Sequence, residues 1–326
     1  MIYPIETADL TRMRGQLLFD GADCARKLSR FWALLTLAAV IASAGIVADS
    51  TATVIGAMIV APLMTPILGT CLSIATGDSR NIARSLALVV LGATAVVAIG
   101  WLFGKLVTVD VVAATNSQVA GRVHPGIIDL AAALATGAVG AFALVRSDVS
   151  DTLPGVAIAI SLVPPLAVVG LTLEAGATGQ SIGALLLFLT NVGAILLSGL
   201  IVMALYRVHQ VAMEGRVGVH RRIGALTVVA FVLVLCVPLA ASTARITADT
   251  LDRSNVTPVA ERWAAASGWR VKTVDSTAAG IEVEVAGGLP APDPQLLRRR
   301  LDEAGLSGVH VIVSLVPSER VDLPAT

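Results

Sequence analysis

Seven stretches of this chain, near residues 31–48, 53–75, 85–109, 126–145, 155–173, 182–206 and 224–241, are apolar for long enough to cross a bilayer. A hydrocarbon core of about 30 Å takes roughly 17–25 helical residues, and only helices or closed barrels can satisfy their backbone inside it. A water-soluble globule is thereby excluded. Charges are only 14% of the chain against 56% hydrophobic residues, and they return in strength after residue 242. The expected organisation is a cytoplasmic amphipathic or flexible leader over 1–30, an all-α polytopic membrane domain of seven helices over 31–241, and a small soluble α/β domain over 242–326.

The basic residues are unevenly placed. Arg12, Arg14, Arg26, Lys27 and Arg30 precede the first run; Arg80 and Arg84, Arg146, and then Arg207, Arg216, Arg221 and Arg222 fall in alternate connections. The other connections carry only Arg122, with Lys105 near a helix end. The positive-inside rule then puts the N-terminus in the cytoplasm, and seven crossings put the C-terminal domain outside the inner (plasma) membrane. Ala42-Ser43-Ala44 resembles a signal-peptidase site, but a long basic stretch precedes it and another span follows, so 31–48 is read as a retained helix. Net charge is zero, which suggests no nucleic-acid partner. Cys24, Cys71 and Cys236 lie far apart and the four histidines do not cluster, so neither a disulfide framework nor a metal or other cofactor site is expected.

Two of the first six runs are interrupted by proline: Pro62 and Pro66 in the second, Pro164 and Pro165 in the fifth. Proline removes a backbone donor and crowds the preceding turn, and the residue before it is pushed out of helical geometry. The segments ADSTATVIGAMIVAPLMTPILG (48–69) and SDTLPGVAIAISLVPPLAVVG (150–170) align at a constant offset, pairing Asp49 with Asp151, Ser50 with Thr152 and Pro62 with Pro164. That correspondence predicts an inverted 3+3 repeat, about 31–109 and 126–206, with broken second and fifth spans and a seventh helix at 224–241.

Broken spans expose backbone groups near the bilayer midplane and persist only where those groups are buried in protein or line a wet cavity. A candidate solute or ion site follows from Pro62, Thr65, Pro66, Ser161, Pro164, Pro165 and the mid-span Asn191, whose amide both donates and accepts. Interhelical glue is an equally good account of Asn191. Asp49, Asp129 and Asp151 sit at span ends, as relay carboxylates or as solvated caps. Gly92, Gly100 and Gly104 allow close helix contact, and with it a homo-oligomer. No nucleophile elbow, zinc-binding H-E-x-x-H or P-loop occurs, so an enzyme is not expected.

The tail reads as αββαβ. A helix is expected near 256–267, strands in WRVKTVD and in IEVEVAG with its two-residue alternation, a helix opened by Asp293-Pro294 with Leu296, Leu297 and Leu301 inward and Gly305 at its end, and a last strand in GVHVIVSLV. The order is similar to that of small periplasmic adaptor domains of the BON type.

Four strings in order, ADSTATVIGAMIVAPLMTPILG, GRVHPGIIDLAAALATGAVGAFAL, LPGVAIAISLVPPLAVVGLTL and LLLFLTN, resemble the domain of unknown function 389 family over about residues 30–206. The resemblance implies an integral membrane protein of bacterial or archaeal type and brings no established activity with it. Function therefore rests on the residues. They suggest a secondary transporter or channel for a small solute or ion, with membrane lipid as the other partner; the alternative is a non-transporting scaffold or sensor whose outer α/β domain binds a partner.

Overall fold

The structure is a computed structural model and describes residues 6–108, 110–123, 125–146, 162–208, 251–277 and 280–317 of the 326. The chain divides into two compact units, 1–242 and 243–326. The first is helical: α1 (Thr7–Leu17), α2 (Cys24–Val47), α3 (Thr51–Val60), α4 (Met64–Thr76), α5 (Ser79–Leu106), the single turn α6 (Ser117–Ala120), α7 (Ile127–Val145), α8 (Val163–Glu174) and α9 (Thr178–Leu205).

Four helices, α2, α5, α7 and α9, are long and apolar enough to cross a membrane, and α3 with α4 makes a fifth span bent by 43°. Their outward faces are apolar, with Leu37, Val90, Leu91, Ile182 and Leu205 all exposed, as lipid-facing surface requires. The seven-helix expectation is corrected by this finding. The run at 224–241 and the first part of the fifth run lie outside the described residues, and the described part of the fifth run falls in α8, whose 12 residues reach only about 18 Å at 1.5 Å per residue.

The 3+3 repeat is corrected as well. Pro62 lies between two helices, whereas its sequence counterpart Pro164 lies inside the first turn of α8. Packing differs too: α8 lies chiefly along α5, while α4 is shared about equally between α5 and α9. Segments rich in Val, Ala, Ile and Leu align cheaply, and that similarity does not carry a structural equivalence here.

Helix ends show how the chain turns. Asp78 caps α5 by accepting from the Asn81 backbone N–H at 3.2 Å, and Gly77 ends α4 at a φ of +73°. Between helices the fit depends on small residues, since lipid offers no hydrophobic drive for association. A Cβ on Gly100 would stand 2.7 Å from the Ala167 carbonyl of α8, one on Gly104 3.0 Å from Glu174, and one on Gly92 3.1 Å from Leu35 and Leu63. These three glycines therefore pack within the fold, and the homo-oligomer expected from them loses its basis.

Residues 7–17, expected on the membrane surface or flexible, form α1 with Met13 and Leu17 buried. Arg12 Nη2 donates to the Leu144 carbonyl at the end of α7 (3.0 Å), Arg14 pairs with Asp78 (2.9 Å), Arg84 donates to the Phe19 carbonyl (2.7 Å), and Asn81 donates to Asp20 (3.1 Å). The start of α5 and the end of α7 thus meet α1 at one end of the unit. Phe142 and Tyr206 stack edge to face at 6.2 Å, which brings the end of α9 to the same end.

At the opposite end the connection after α5 is clamped onto the α2–α3 turn. Asn116 donates to the Ile46 carbonyl (2.7 Å), Gln118 to the Thr51 hydroxyl (2.9 Å), and the Ala113 N–H to Gln180 (3.0 Å). Lys105 pairs with Glu174 at 3.5 Å beside it. Arg122, the one arginine expected at this end, donates to the Gln118 carbonyl and side chain, and burial lowers its pKa.

The second unit runs from helical residues 251–265 (α10) through β1 (Arg270–Thr277), β2 (Gly280–Gly287) and α11 (Pro294–Glu303) to β3 (Val311–Pro317). β2 is central, antiparallel to β1 and parallel to β3. Trp263 and Trp269 fill its core and donate to the carbonyls of Asp293 (3.0 Å) and Gly288 (2.6 Å). Asp293 caps α11 through the Gln295 N–H at 2.9 Å; Leu297 and Leu301 are buried, but Leu296 is exposed rather than inward.

Candidate functional site at the broken span

The break in the second span follows from its two prolines. Ser50 opens α3 by accepting from the Thr53 N–H, and the helix runs to Val60. Ala61 precedes a proline and turns extended, at φ −66° and ψ 126°, as proline demands of its predecessor. Leu63 returns to helical geometry and α4 begins at Met64. Pro66 has no N–H to give the Pro62 carbonyl four residues back; the Thr65 N–H occupies that carbonyl instead, at 3.2 Å. Pro66's own carbonyl accepts the Thr70 hydroxyl at 2.9 Å. Pro66 is therefore part of α4, and the interruption belongs to residues 61–63.

Pro164 and Pro165 do something different. They occupy the first turn of α8, which is buried from its cap Leu162 through Thr172. A helix start leaves four N–H groups without intrahelical partners, and burying them unsatisfied is costly. Two adjacent prolines remove two of the four. The doublet thus lets a helix begin inside the protein, leaving only the Leu162 and Val163 N–H groups at its mouth.

Packing register puts these starts at one depth. The α8–α9 pair is antiparallel and anchored where Thr172 and Ser181 share a hydrogen bond of 2.8 Å; following it nine residues along each helix brings Val163 level with Thr190. α4 and α9 both run toward α1, and Cys71 Sγ meets the Leu196 carbonyl at 3.5 Å, so six residues back Thr65 is also level with Thr190. Contacts along α5 agree: Leu63 reaches Gly92 and Ala167 reaches Gly100, which separates the two helix starts by about one turn. Thr190 and Asn191 are both buried at this depth.

A small crevice of about 30 Å³ runs from the break toward α1, lined by Pro62, Thr65, Leu34, Phe31, Arg30, Lys27, Gln16, Leu18 and Phe19. It is large enough for a water or two. Of the residues expected to form a site, Pro62 and Thr65 line it, while Pro66, Pro164, Pro165 and Asn191 lie packed at the same depth without lining it. Ser161 and Asp151 lie outside the described residues. Asp49 and Asp129 are caps: Asp49, at φ +49°, accepts from Ser117 Oγ (2.7 Å) and the Gln118 N–H (3.1 Å), and Asp129 accepts from the Gly126 N–H (2.8 Å) at the start of α7. Gln16, Lys27 and Arg30 were legible only as charge and polarity. Burial of Met13, Leu17, Leu18 and Phe19, which folds the α1–α2 link under the helices, brings them to the break. Among the described residues no three His, Cys, Asp or Glu side chains group as metal ligands.

Residues 58–197, which contain the break, the start of α8 and Asn191, match the family described as Domain of unknown function (DUF389). The match covers less than half of the chain. An uncharacterized protein of Methanocaldococcus jannaschii is 33% identical over 194 residues, 60% of this chain and 59% of its own. The chain thus spans about three fifths of the length of that curated relative. No solved structure matches. The matched stretch therefore takes in the break at 61–63, α4, α5, α7, α8 and most of α9, and leaves out α1, α2, most of α3 and the C-terminal unit.

Proposed function

We propose that the membrane-embedded DUF389 domain passes a small solute or ion along the broken α3–α4 span. The observation that carries this reading is the common depth of the break at 61–63, the buried start of α8 and the amide of Asn191, with a crevice leading from the break toward one end of the unit. Non-helical backbone at that depth is tolerated where it lines a cavity, and paired helix starts with a polar side chain beside them are how membrane carriers commonly meet a solute.

The α1 end faces the cytoplasm in this proposal, because Arg14, Lys27, Arg30, Arg80, Arg84 and Arg146 all lie there, against Lys105 and Arg122 at the other. We also propose that the C-terminal unit lies outside the cytoplasm. The test is a flux screen in proteoliposomes, comparing the wild-type protein with Asn191→Leu. Solute flux that falls in the variant at equal folded protein supports the reading, and absence of flux for ions and small solutes alike removes it.

A second reading, a scaffold whose C-terminal unit binds a partner, draws on the small size of the crevice and on a groove of about 370 Å³ in that unit, lined by Val259, Arg262, Arg300, Glu303 and Ala304. It predicts no flux, together with a partner whose binding is lost when Arg262 and Arg300 are changed to Gln.

A further inference from the structure

The crevice beside the break holds two cations that no carboxylate neutralises among the described residues. Lys27 and Arg30 lie within the first two turns of α2, a helix with no acidic side chain in its first turn. Neither makes an ion pair among the described residues, whereas their neighbour Arg26 is paired with Asp23 at 3.9 Å. Positive side chains at a helix N-terminus oppose the macrodipole. An anion at this place is attracted by all three.

The donors are also arranged. Lys27 Nζ donates to the carbonyls of Gly15 (2.6 Å) and Leu18 (2.9 Å), so two of its three N–H bonds fix the ammonium and the third is left for a ligand. The Arg30 guanidinium, the Gln16 amide and the Thr65 hydroxyl have no hydrogen-bond partner among the described residues and line the same space. Leu18, Phe19, Phe31, Leu34 and Pro62 make the remaining wall apolar, which strengthens charge-assisted hydrogen bonds made against it.

We propose that the open mouth of this crevice, where Gln16 and Arg30 are exposed and Lys27 is half-buried, binds a phosphate group, with the water-sized interior behind it. A fixed ammonium and a guanidinium fork from α2, with neutral donors from α1 and α4, come from three elements, which suits a tetrahedral oxyanion better than a flat carboxylate with two oxygens. The group can come from a lipid headgroup or from free phosphate, and the chemistry at the crevice is the same for both. This deepens the transport reading and rests on it only for the role of the break. Phosphate binding without flux leaves this inference standing, and flux without phosphate binding overturns it alone.

The experiment uses the full-length protein in mild detergent. Thermal stability is followed against inorganic phosphate, with chloride at matched ionic strength as the reference, and retention of phosphatidylglycerol over phosphatidylcholine is read by native mass spectrometry. Stabilisation by inorganic phosphate assigns the site to the free anion; retention of phosphatidylglycerol alone assigns it to a lipid headgroup. In either case Lys27→Gln with Arg30→Gln weakens binding by about tenfold or more, the loss expected for hydrogen bonds to a charged group, and Arg26→Gln does not. If the double variant does not fold, Gln16→Leu with Thr65→Val removes the neutral donors without touching the helix charges and gives a loss in the same direction. Binding of neither probe, unchanged binding in the crevice variants, or an equal loss in Arg26→Gln overturns the proposal.

Discussion

Replacing Gly170 by alanine tests the packing that holds α8 in the middle of the unit. A Cβ at this position would meet the Trp101 nitrogen at 2.6 Å and the Gly100 carbonyl carbon at 2.8 Å, both backbone atoms of α5. Backbone cannot swing aside as a flexible side chain does, so α5 and α8 must separate, with Ala167 and Gly100 losing their close approach. Overpacking of this kind costs about 1–3 kcal/mol, and alanine's better helix propensity returns up to about 1 kcal/mol. The net expectation is a loss of roughly 1–2 kcal/mol, or a Tm lower by about 2–8 °C for a unit of this size. Gly56 of α3 is the control, since a Cβ there meets nothing within 4 Å; Gly56→Ala should leave stability unchanged or raise it by up to about 1 kcal/mol. Both are read by thermal unfolding in one detergent with size-exclusion homogeneity. A Gly170→Ala protein as stable as the wild type would refute the α5–α8 spacing, and with it the depth assigned to the start of α8.

Three further outcomes are expected. Asn191→Leu should lower stability by about 1 kcal/mol if the amide serves as interhelical glue; a fall in flux per folded molecule in the same preparation is what the transport reading requires, and normal flux would remove Asn191 from the path. Burial opposes ionisation of Asp78, but hydrogen bonds from the Asn81 side chain and backbone and from Arg14, with the Arg14 charge, outweigh it and hold the carboxyl below its usual range. The stability it contributes is complete above the ordinary aspartate value near pH 4 and is lost as pH falls through the lower folded value, so the stability gap between wild type and Asp78→Asn should be constant at neutral pH and close in acid; a gap that persists unchanged in acid would contradict the Asp78 network. Single cysteines at Ser79 and Ser254 in a cysteine-free protein should react with an impermeant reagent from the cytoplasmic and outer sides respectively, and the reverse pattern inverts the proposed orientation.

Membrane character and the location of the break were readable in the sequence because each rests on a local rule: run length for the spans, the missing N–H and the constraint on Ala61 for the break. The caps at Asp129 and Asp293 follow local rules too. The architecture was not readable on the same grounds. Run length cannot separate a crossing from α8, a buried helix of 12 residues that the Pro164-Pro165 doublet allows to start within the protein. Apolar segments align whether or not they are equivalent, and the offset between Pro62 and Pro164 hid two different roles. The crevice was hidden for another reason. Gln16, Lys27 and Arg30 reach the break only because the α1–α2 link folds under the helices, and that is a tertiary fact about Met13, Leu17 and Phe19. The small residues of α5 presented the converse problem: Gly-x-x-x-Gly spacing names a close contact without naming its partner, which here is α8.

The central claim is that the backbone break at 61–63 opens to water from the α1 end at a depth where a membrane span is otherwise sealed. Accessibility of a cysteine at Thr65 measures this directly. In a cysteine-free protein reconstituted in liposomes, Thr65→Cys should react with a membrane-impermeant thiol reagent applied on the α1 side, while Ile67→Cys, two residues on and fully buried, should not. Reaction at Thr65 alone is the result predicted. A Thr65 cysteine as silent as the one at Ile67 would mean a sealed break, and the crevice would have no part in function.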